Sequence, residues 1–161
     1  VRHGNIWVSV YPVFANKVVE KELLEGNLSC LNGYKKFKRE VKCGESRFDF
    51  QLDFSDVKAF VEVKSVSLVE GSVGKFPDAP TKRGVKHLKE LIELRQQGFR
   101  TAVIFVSQRS DARSIISNDE IDPLFGEWLR KANLASVELY AYNCSVTKST
   151  VSIKHQIPVN I

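Results

Sequence analysis

Methionine is absent from the 161 residues of the chain, and so are long apolar runs. The chain opens on Val1, so we expect it to be a piece of a longer protein with a domain upstream. Its longest apolar stretch, 102–106, is strand-sized, whereas a transmembrane helix needs about 18 apolar residues. The N-terminus lacks the charged and apolar regions of a secretory signal. We therefore expect a cytoplasmic protein with no membrane partner.

Cysteine is scarce, since the chain has only Cys30, Cys43 and Cys144, at long spacings and without a CxxC pair. This pattern suggests neither a disulfide framework nor a zinc site, and three buried thiols are expected. The 24 Lys and Arg against 19 Asp and Glu give a net charge of +5. Such an excess favours a polyanionic partner, with plain solubility as the alternative explanation.

The apolar periodicity predicts one layered α/β domain with its elements in the order α-β-β-β-α-β-α-β. Asn16 is expected to cap the first helix and Gly26 to follow its end. A continuous apolar run at 101–107 is typical of a central strand that is covered on both faces. The other predicted elements are a strand and then a turn at 4–14, strands at 36–42, 47–52, 59–69 and 137–142, a strand with a tail at 151–161, helices at 81–98 and after Asp122-Pro123, and a loop at 71–80.

Gly44 and Glu45 match the loop of a two-residue type II′ hairpin. In that register paired residue numbers sum to 89, and Glu40 then lies opposite Asp49 on the polar face. Like charges placed opposite each other cost about 0.2–1 kcal/mol. The pair therefore requires a compensating cation, which either nearby lysines or a metal ion could supply.

The next strand carries Glu62 and Lys64, which are two residues apart and therefore share one face. The neighbouring residues Val61, Val63 and Val66 indicate that this strand is otherwise buried. Buried charges need partners, so a functional pair is favoured over the alternative of an exposed Glu-Lys pair on a solvated face.

Asp49 and Glu62, assisted by the Val63 carbonyl, form a hard-oxygen set suited to Mg²⁺ or Mn²⁺. Such an ion polarises a phosphoryl oxygen and lowers the pKa of bound water, while the Lys64 ammonium stabilises developing negative charge. The chemistry suits phosphodiester hydrolysis. The D-x(12)-E-x-K spacing alone is a weak pattern, and its weight comes from the three-strand context.

Several segments of the chain together resemble the sugar fermentation stimulation protein family. They are SRFDF (46–50), VEVKSVSLV (61–69), KFPDAPTKRGVKHLKEL (75–91), IDP (121–123) and the terminal IPVNI. The resemblance implies a PD-(D/E)xK nuclease-like domain over residues 15–161. It also implies that residues 1–14 are a residual strand of an upstream OB-like nucleic-acid-binding domain.

The fold implied by this resemblance is a restriction-endonuclease-like core, with a mixed central β-sheet flanked by helices. Asp49, Glu62 and Lys64 match the superfamily's catalytic Asp and Glu-x-Lys positions. Glu40 matches a strand carboxylate of the family, which adds it to the expected metal ligands. DNA is the implied partner, and homo-oligomerisation is left open.

The segments expected to border the metal carry further candidates. Asp78 is either an additional ligand or a carboxylate favoured at a helix start. His87, placed on the polar face of its helix, either contacts phosphate or lies at the surface. Arg83 and Lys86 share that polar face and are expected to contact DNA.

The segment 35–42 holds five basic residues and one acidic residue, a net charge of +4. Lys36 and Lys38 alternate along it with the aromatic residues Tyr34 and Phe37. We interpret the segment as a phosphate-backbone track, with a solvated charged strand as the ordinary alternative.

Two functions follow from these observations. The first is a metal-dependent nuclease that hydrolyses phosphodiester bonds in DNA. The second is a non-catalytic DNA-binding regulator of sugar-metabolism genes on a nuclease-like fold. Intact Asp49, Glu62 and Lys64 favour catalysis, because a pure binder gains nothing from carboxylates crowded near phosphates. A sugar-metabolising enzyme finds no support, since no Gly-rich phosphate loop is present.

Overall fold

A computed structural model describes all residues of the chain, 1–161, and contains twelve strands and three α-helices. The strands are β1 (Arg2–His3), β2 (Ile6–Trp7), β3 (Lys36–Cys43), β4 (Ser46–Asp53), β5 (Lys58–Val66), β6 (Leu68–Glu70), β7 (Val73–Phe76), β8 (Arg100–Ser107), β9 (Ser114–Ser117), β10 (Glu138–Val146), β11 (Val151–Ile157) and β12 (Val159–Asn160). The helices are α1 (Val13–Glu25), α2 (Lys82–Gln96) and α3 (Pro123–Leu134), and a short 3₁₀ helix spans Ser29–Leu31.

The central sheet has six strands in the order β11-β10-β8-β5-β4-β3. Strands β5, β8 and β10 run parallel, whereas β3, β4 and β11 pair antiparallel with their neighbours. The sheet is therefore mixed, as the sequence predicts for the fold class. Strand β3 forms one edge of this sheet, and β5 and β8 lie at its centre.

Helices cover both faces of the central sheet. Along β8, Ala102, Ile104 and Val106 pack in the cluster that contains the buried residues of α1. The alternate residues Val103 and Phe105 pack in the cluster that contains the buried residues of α2 and α3. The continuous apolar run of β8 therefore serves two cores, which confirms its prediction as a strand covered on both faces.

A second sheet of four strands, in the order β12-β9-β7-β6, was missed by the sequence prediction. The expected loop at 71–80 contains β7, which pairs with β6 in a short hairpin around Gly71. The strand expected at 59–69 accordingly ends at Val66, and its last residues belong to β6. The strands of this sheet have two to four residues each, too short for an alternating pattern to be recognised.

The N-terminal segment also differs from its prediction. In place of a strand at 4–14, β1 and β2 form a two-residue ribbon, and α1 begins at Val13 after Pro12. Asn16 therefore lies inside the helix and is not its N-cap. The aromatic and β-branched residues favoured a strand, but Pro12 is suited to a helix start. The predicted end is confirmed, because Gly26 caps α1 with a φ of +68°.

The other two helices begin where the sequence predicts. The Thr81 hydroxyl accepts a hydrogen bond from Gly84 N at 2.9 Å, and Asp122 accepts one from Phe125 N at 3.0 Å. Pro123 occupies the first turn of α3. No helix of the chain has the length and apolar character to cross a membrane.

The expectation of three buried thiols is wrong for two of them. Cys144 is buried in β10, but Cys30 and Cys43 are half-buried. Cys43 ends the edge strand β3, where no further strand covers it. All three thiols are free.

Candidate active site

The β3–β4 hairpin has the predicted register. The pairs Lys38 with Gln51 and Lys42 with Arg47 both sum to 89. Gly44 has a φ of +60° while Glu45 has no positive φ, as a type II′ turn requires. The register therefore places Glu40 and Asp49 at the same level of the two strands.

The ladder is interrupted at that level. Glu40 and Asp49 are absent from the pairing on β3 and β4, although the register is the same on both sides of the gap, and Glu40 has a φ of +49°. The interruption changes the faces of β4, because Phe48 packs on the α2 side and Phe50 on the α1 side. Regular β alternation would place Phe48, Phe50 and Leu52 on one face, but Phe48 lies on the opposite side of the sheet from the other two.

Asp49 lies where β4 separates from β5, since the pairing of these strands stops at Phe50 and Val61. Its Oδ2 accepts a hydrogen bond from Val63 N at 2.7 Å, and its Oδ1 accepts one from Asn16 Nδ2 at 2.6 Å. The Asp49 carboxylate thus accepts the β5 backbone N–H that a neighbouring strand would otherwise accept. A side chain of α1 also donates to it.

Glu62 is buried on the opposite side of β5, beneath α2. Its Oε1 lies 2.8 Å from Lys64 Nζ and 2.7 Å from His87 Nδ1. Its Oε2 is buried and has no hydrogen-bond partner. The side chain of Lys64 is 11% exposed, so the predicted Glu-Lys pair lies in the interior and not on a solvated face.

Burial and charge act differently on the two carboxylates. Burial, together with the nearby charge of Glu62, raises the pKa of Asp49 above its ordinary value despite the hydrogen bonds from Val63 and Asn16. Burial also disfavours the ionised form of Glu62, but the His87 hydrogen bond and the Lys64 charge outweigh it and keep the pKa of Glu62 low. Of the two carboxylates, Asp49 therefore has the less favourable surroundings for its negative charge.

The donor set fits a divalent cation. The unpartnered Oε2 of Glu62 and the insufficiently compensated charge of Asp49 are carboxylate oxygens, the ligands that Mg²⁺ and Mn²⁺ prefer. The N–H and C=O of a strand residue point to the same edge, so the Val63 carbonyl faces the same side as the N–H that Asp49 accepts. These three residues would hold the ion, with water completing its coordination.

Two predicted candidates lie apart from this set. No three His, Cys, Asp or Glu side chains cluster closely enough to form a metal site, so Glu40 does not join Asp49 and Glu62. Glu40 is exposed, because the interrupted ladder and its left-handed backbone turn it away from Asp49. Asp78 is exposed, and its carboxylate accepts a hydrogen bond from Ser67 Oγ at 3.1 Å.

The predicted DNA-contacting lysines and arginine are exposed in two separate places. Lys36 and Lys38 lie on the edge strand β3, where Lys36 Nζ is 3.6 Å from Asp53. Arg83 and Lys86 lie in the first two turns of α2, close to the β3–β4 hairpin.

Sequence reasoning missed the two side chains that position the carboxylates. His87 is only 2% exposed, so its placement on the outward face of α2 is wrong. It lies four residues before Leu91 and seven before Leu94, on the buried helix face, and that spacing was the available signal. Asn16 similarly precedes Val19 by three residues, a position that the N-cap interpretation obscured.

Comparison with known proteins places the chain in a family. The family model described as "Sugar fermentation stimulation protein RE domain" matches residues 13–150. The sugar fermentation stimulation protein homolog of Desulforamulus reducens is 46% identical over 160 residues, which cover 99% of this chain and 67% of the relative. The homolog of Caldanaerobacter subterraneus is 40% identical over 156 residues, covering 97% and 68%.

A solved structure has the same fold. SfsA of Pyrococcus furiosus, determined in complex with Ca²⁺, superposes with a TM-score of 0.78 at 34% identity. The match covers 91% of this chain and 62% of that chain, so the present chain spans about two thirds of the length of its relatives. With its mixed central sheet and its match along nearly the whole chain, this protein belongs to the sugar fermentation stimulation protein family.

Proposed function

We propose that this domain is a divalent-metal-dependent nuclease that hydrolyses phosphodiester bonds of DNA. The observation that carries the proposal is the charged group where β4 leaves β5: the charges of Glu62 and Lys64 both act on Asp49, Lys64 contacts Glu62, and Glu62 Oε2 is buried and unpartnered. A buried carboxylate oxygen without a hydrogen-bond partner lowers the stability of the fold. A purely structural role therefore does not explain why a second carboxylate lies there.

Each side chain has a distinct part in this proposal. Asp49 and Glu62, with the Val63 carbonyl, hold Mg²⁺ or Mn²⁺, which when bound polarises a phosphoryl oxygen and supplies an activated water. Lys64 provides a fixed positive charge beside Glu62 that stabilises the negative charge developing on phosphate oxygens. Asn16 and His87 position the carboxylates.

The Pyrococcus furiosus relative supports a hard divalent cation, because that structure was solved with Ca²⁺. Ca²⁺, Mg²⁺ and Mn²⁺ all prefer oxygen ligands. DNA as the substrate is supported by the restriction-endonuclease-like core and by the net charge of +5.

The first test is calorimetry with Mn²⁺ on the wild-type chain and on the double variant Asp49→Asn, Glu62→Gln. We expect binding by the wild type and a large loss in the double variant. The second test incubates end-labelled single- and double-stranded DNA with each protein in Mg²⁺, Mn²⁺ or EDTA. Cleavage by the wild type only, and only with metal, is the expected result.

Two outcomes would contradict the proposal. Equal Mn²⁺ affinity in both proteins would remove the metal site from Asp49 and Glu62. Mn²⁺ binding and DNA binding without any cleavage would favour the alternative, a non-catalytic DNA-binding regulator.

A further inference from the structure

A polar cleft of about 360 Å³ lies between the β3–β4 hairpin and the first two turns of α2. No hydrophobic residue lines it. We call it the basic cleft, because four cationic side chains, Arg47, Lys82, Arg83 and Lys86, surround it. One acidic residue, Glu45, also lines it, so the lining carries a net charge of +3.

The positive charge of the basic cleft is mostly uncompensated within the protein. Arg47, Lys82 and Arg83 form no ion pair, whereas Lys86 Nζ lies 3.5 Å from Glu45 and 3.9 Å from Glu90. The Glu45 side chain is 89% exposed, so water screens its charge strongly. Three unpaired cations around one concave surface repel each other, and a bound anion relieves that repulsion.

Backbone donors point to the same kind of ligand. The Thr81 hydroxyl caps only the N–H of Gly84, and the N–H groups of Lys82 and Arg83 have no partner in the protein. Unpartnered N–H groups in the first turn of a 15-residue helix, together with its dipole, favour a phosphate or another anion.

A buried side chain forms an independent link between the basic cleft and the candidate active site. His87 lines the cleft with a side chain that is 3% exposed, and its Nδ1 contacts Glu62. The hydrogen bonds of His87 involve only Nδ1, so its other ring nitrogen, Nε2, has no partner within the protein. The cleft is thus separated from Glu62 by one imidazole ring.

We propose that the basic cleft binds a phosphate group of a DNA strand, next to the phosphate that reaches Asp49 and Glu62. The identification of the strand as DNA rests on the proposed function, but the affinity for a phosphate rests on the cleft itself. An internal backbone phosphate and a terminal 5′-phosphate both present anionic oxygens to Arg47 and Arg83, with the greater charge on the terminal group.

The test is fluorescence anisotropy in EDTA, with labelled single- and double-stranded DNA carrying either a 5′-phosphate or a 5′-hydroxyl. The variant Arg47→Gln, Arg83→Gln removes two exposed charges without disturbing the core. We expect about 10-fold weaker binding and, for the duplex, a salt slope reduced by about 0.9. Loss of a preference for the 5′-phosphate would assign the cleft to a strand end, and equal weakening of all four DNAs to an internal phosphate.

The control is Arg95→Gln, which removes one positive charge at the other end of α2, about 18 Å from Arg83 along the helix axis; its comparison is with the single variant Arg83→Gln. We expect this variant to bind DNA like the wild type. If the double variant has wild-type affinity and salt slope, or if the wild type binds no DNA in EDTA, the proposal is wrong.

Binding in EDTA separates this proposal from the nuclease. Weakened DNA binding by the cleft variant, in a protein that cleaves nothing with Mn²⁺, would retain the phosphate site and reject the catalytic function. Metal-dependent cleavage with unchanged DNA binding in the cleft variant would retain the catalytic function and reject the phosphate site.

Discussion

The buried imidazole of His87 lies 2.7 Å from Glu62 Oε1 and joins α2 to the central strand β5. Asn16 makes the corresponding contact from α1, by donating to Asp49 Oδ1 at 2.6 Å. The two carboxylates are therefore held from opposite faces of the central sheet. Their separation depends on both helices, and this arrangement leads to the following predictions.

Asp49→Asn is expected to stabilise the metal-free protein at pH 7. The pKa of Asp49 is raised, so the folded protein holds the ionised form less favourably than the unfolded chain does. The amide keeps an oxygen for Val63 N, and Asn16 can present its own oxygen to the new NH₂ group. We expect a gain of about 1 kcal/mol, or a rise of about 2–4 °C in Tm measured in EDTA.

The pH dependence of that gain has a defined sign. Between the ordinary pKa and the raised one the folded wild type binds more protons, so its stability falls as pH rises through this window. The advantage of the variant should therefore shrink as pH is lowered through the raised pKa of Asp49. An equal Tm difference at pH 7 and at pH well below the ordinary carboxyl range would contradict the assignment.

Lys64→Ala is expected to reduce DNA cleavage by about 100-fold or more while Mn²⁺ affinity is retained, because in the proposed reaction the ammonium acts on the transition state and is not a metal ligand. The measurements are cleavage rates and calorimetry on the same samples, with circular dichroism as a check of folding. Lys58→Ala, an exposed change on the same strand, should leave both quantities unchanged. Unchanged turnover in the Lys64 variant would exclude the role.

Asn16→Ala is expected to lower Mn²⁺ affinity or cleavage by about 10- to 100-fold, since residues that orient metal ligands have effects of this size. The variant leaves Asp49 Oδ1 without its side-chain donor. Asn27→Ala, which removes an exposed bond to Glu25, is the matched control. If both variants behave like the wild type, Asn16 does not position Asp49.

Glu40→Gln is expected to leave Mn²⁺ affinity at the wild-type value. The residue is exposed and does not cluster with Asp49 and Glu62. Calorimetry alongside Asp49→Asn gives the comparison. A loss as large as that of Asp49→Asn would restore Glu40 as a ligand, as the hairpin register alone suggested.

Substitution of Lys36 and Lys38 with Ala tests the edge strand as a phosphate track. We expect weaker DNA binding, about equal for all sequences, and a salt slope lowered by about 0.9 for each lost duplex contact. Mn²⁺ affinity of the same variant should not change, because both lysines lie beyond the interruption that contains Asp49. With DNA affinity and salt slope at wild-type values, β3 would be a solvated edge, where lysines oppose edge-to-edge association.

Much of the fold could be predicted from the sequence, because the long elements carry strong local signals. The two faces of β8, the caps of α2 and α3, and the register around Gly44 all follow from side-chain period and turn chemistry. The second sheet could not, since its strands have at most four residues and are defined by pairing between distant segments.

The candidate site was predictable in its residue types and not in its arrangement. The spacing of Glu62 and Lys64 gave their shared face, which the structure confirms through their 2.8 Å contact. The hairpin register predicted that Glu40 and Asp49 lie opposite each other, but the ladder is interrupted there, at the left-handed residue Glu40. The register is the same on both sides of the interruption, so neither the turn residues nor the hairpin length in the sequence indicates that it is there.

The pairing of β4 and β5 stops short of Asp49, and this has a consequence for folding as well as for chemistry. If Asp49 and Glu62 bind a cation as proposed, the ion would take the place of the missing ladder contacts and hold two adjacent strands together. Its binding energy would then add to the free energy of unfolding, by about 2.7 kcal/mol when the free ion is at 100 times its Kd. Hydrogen exchange at the end of β5 should consequently slow on addition of Mn²⁺, and the change would report the local rigidity that the ion confers.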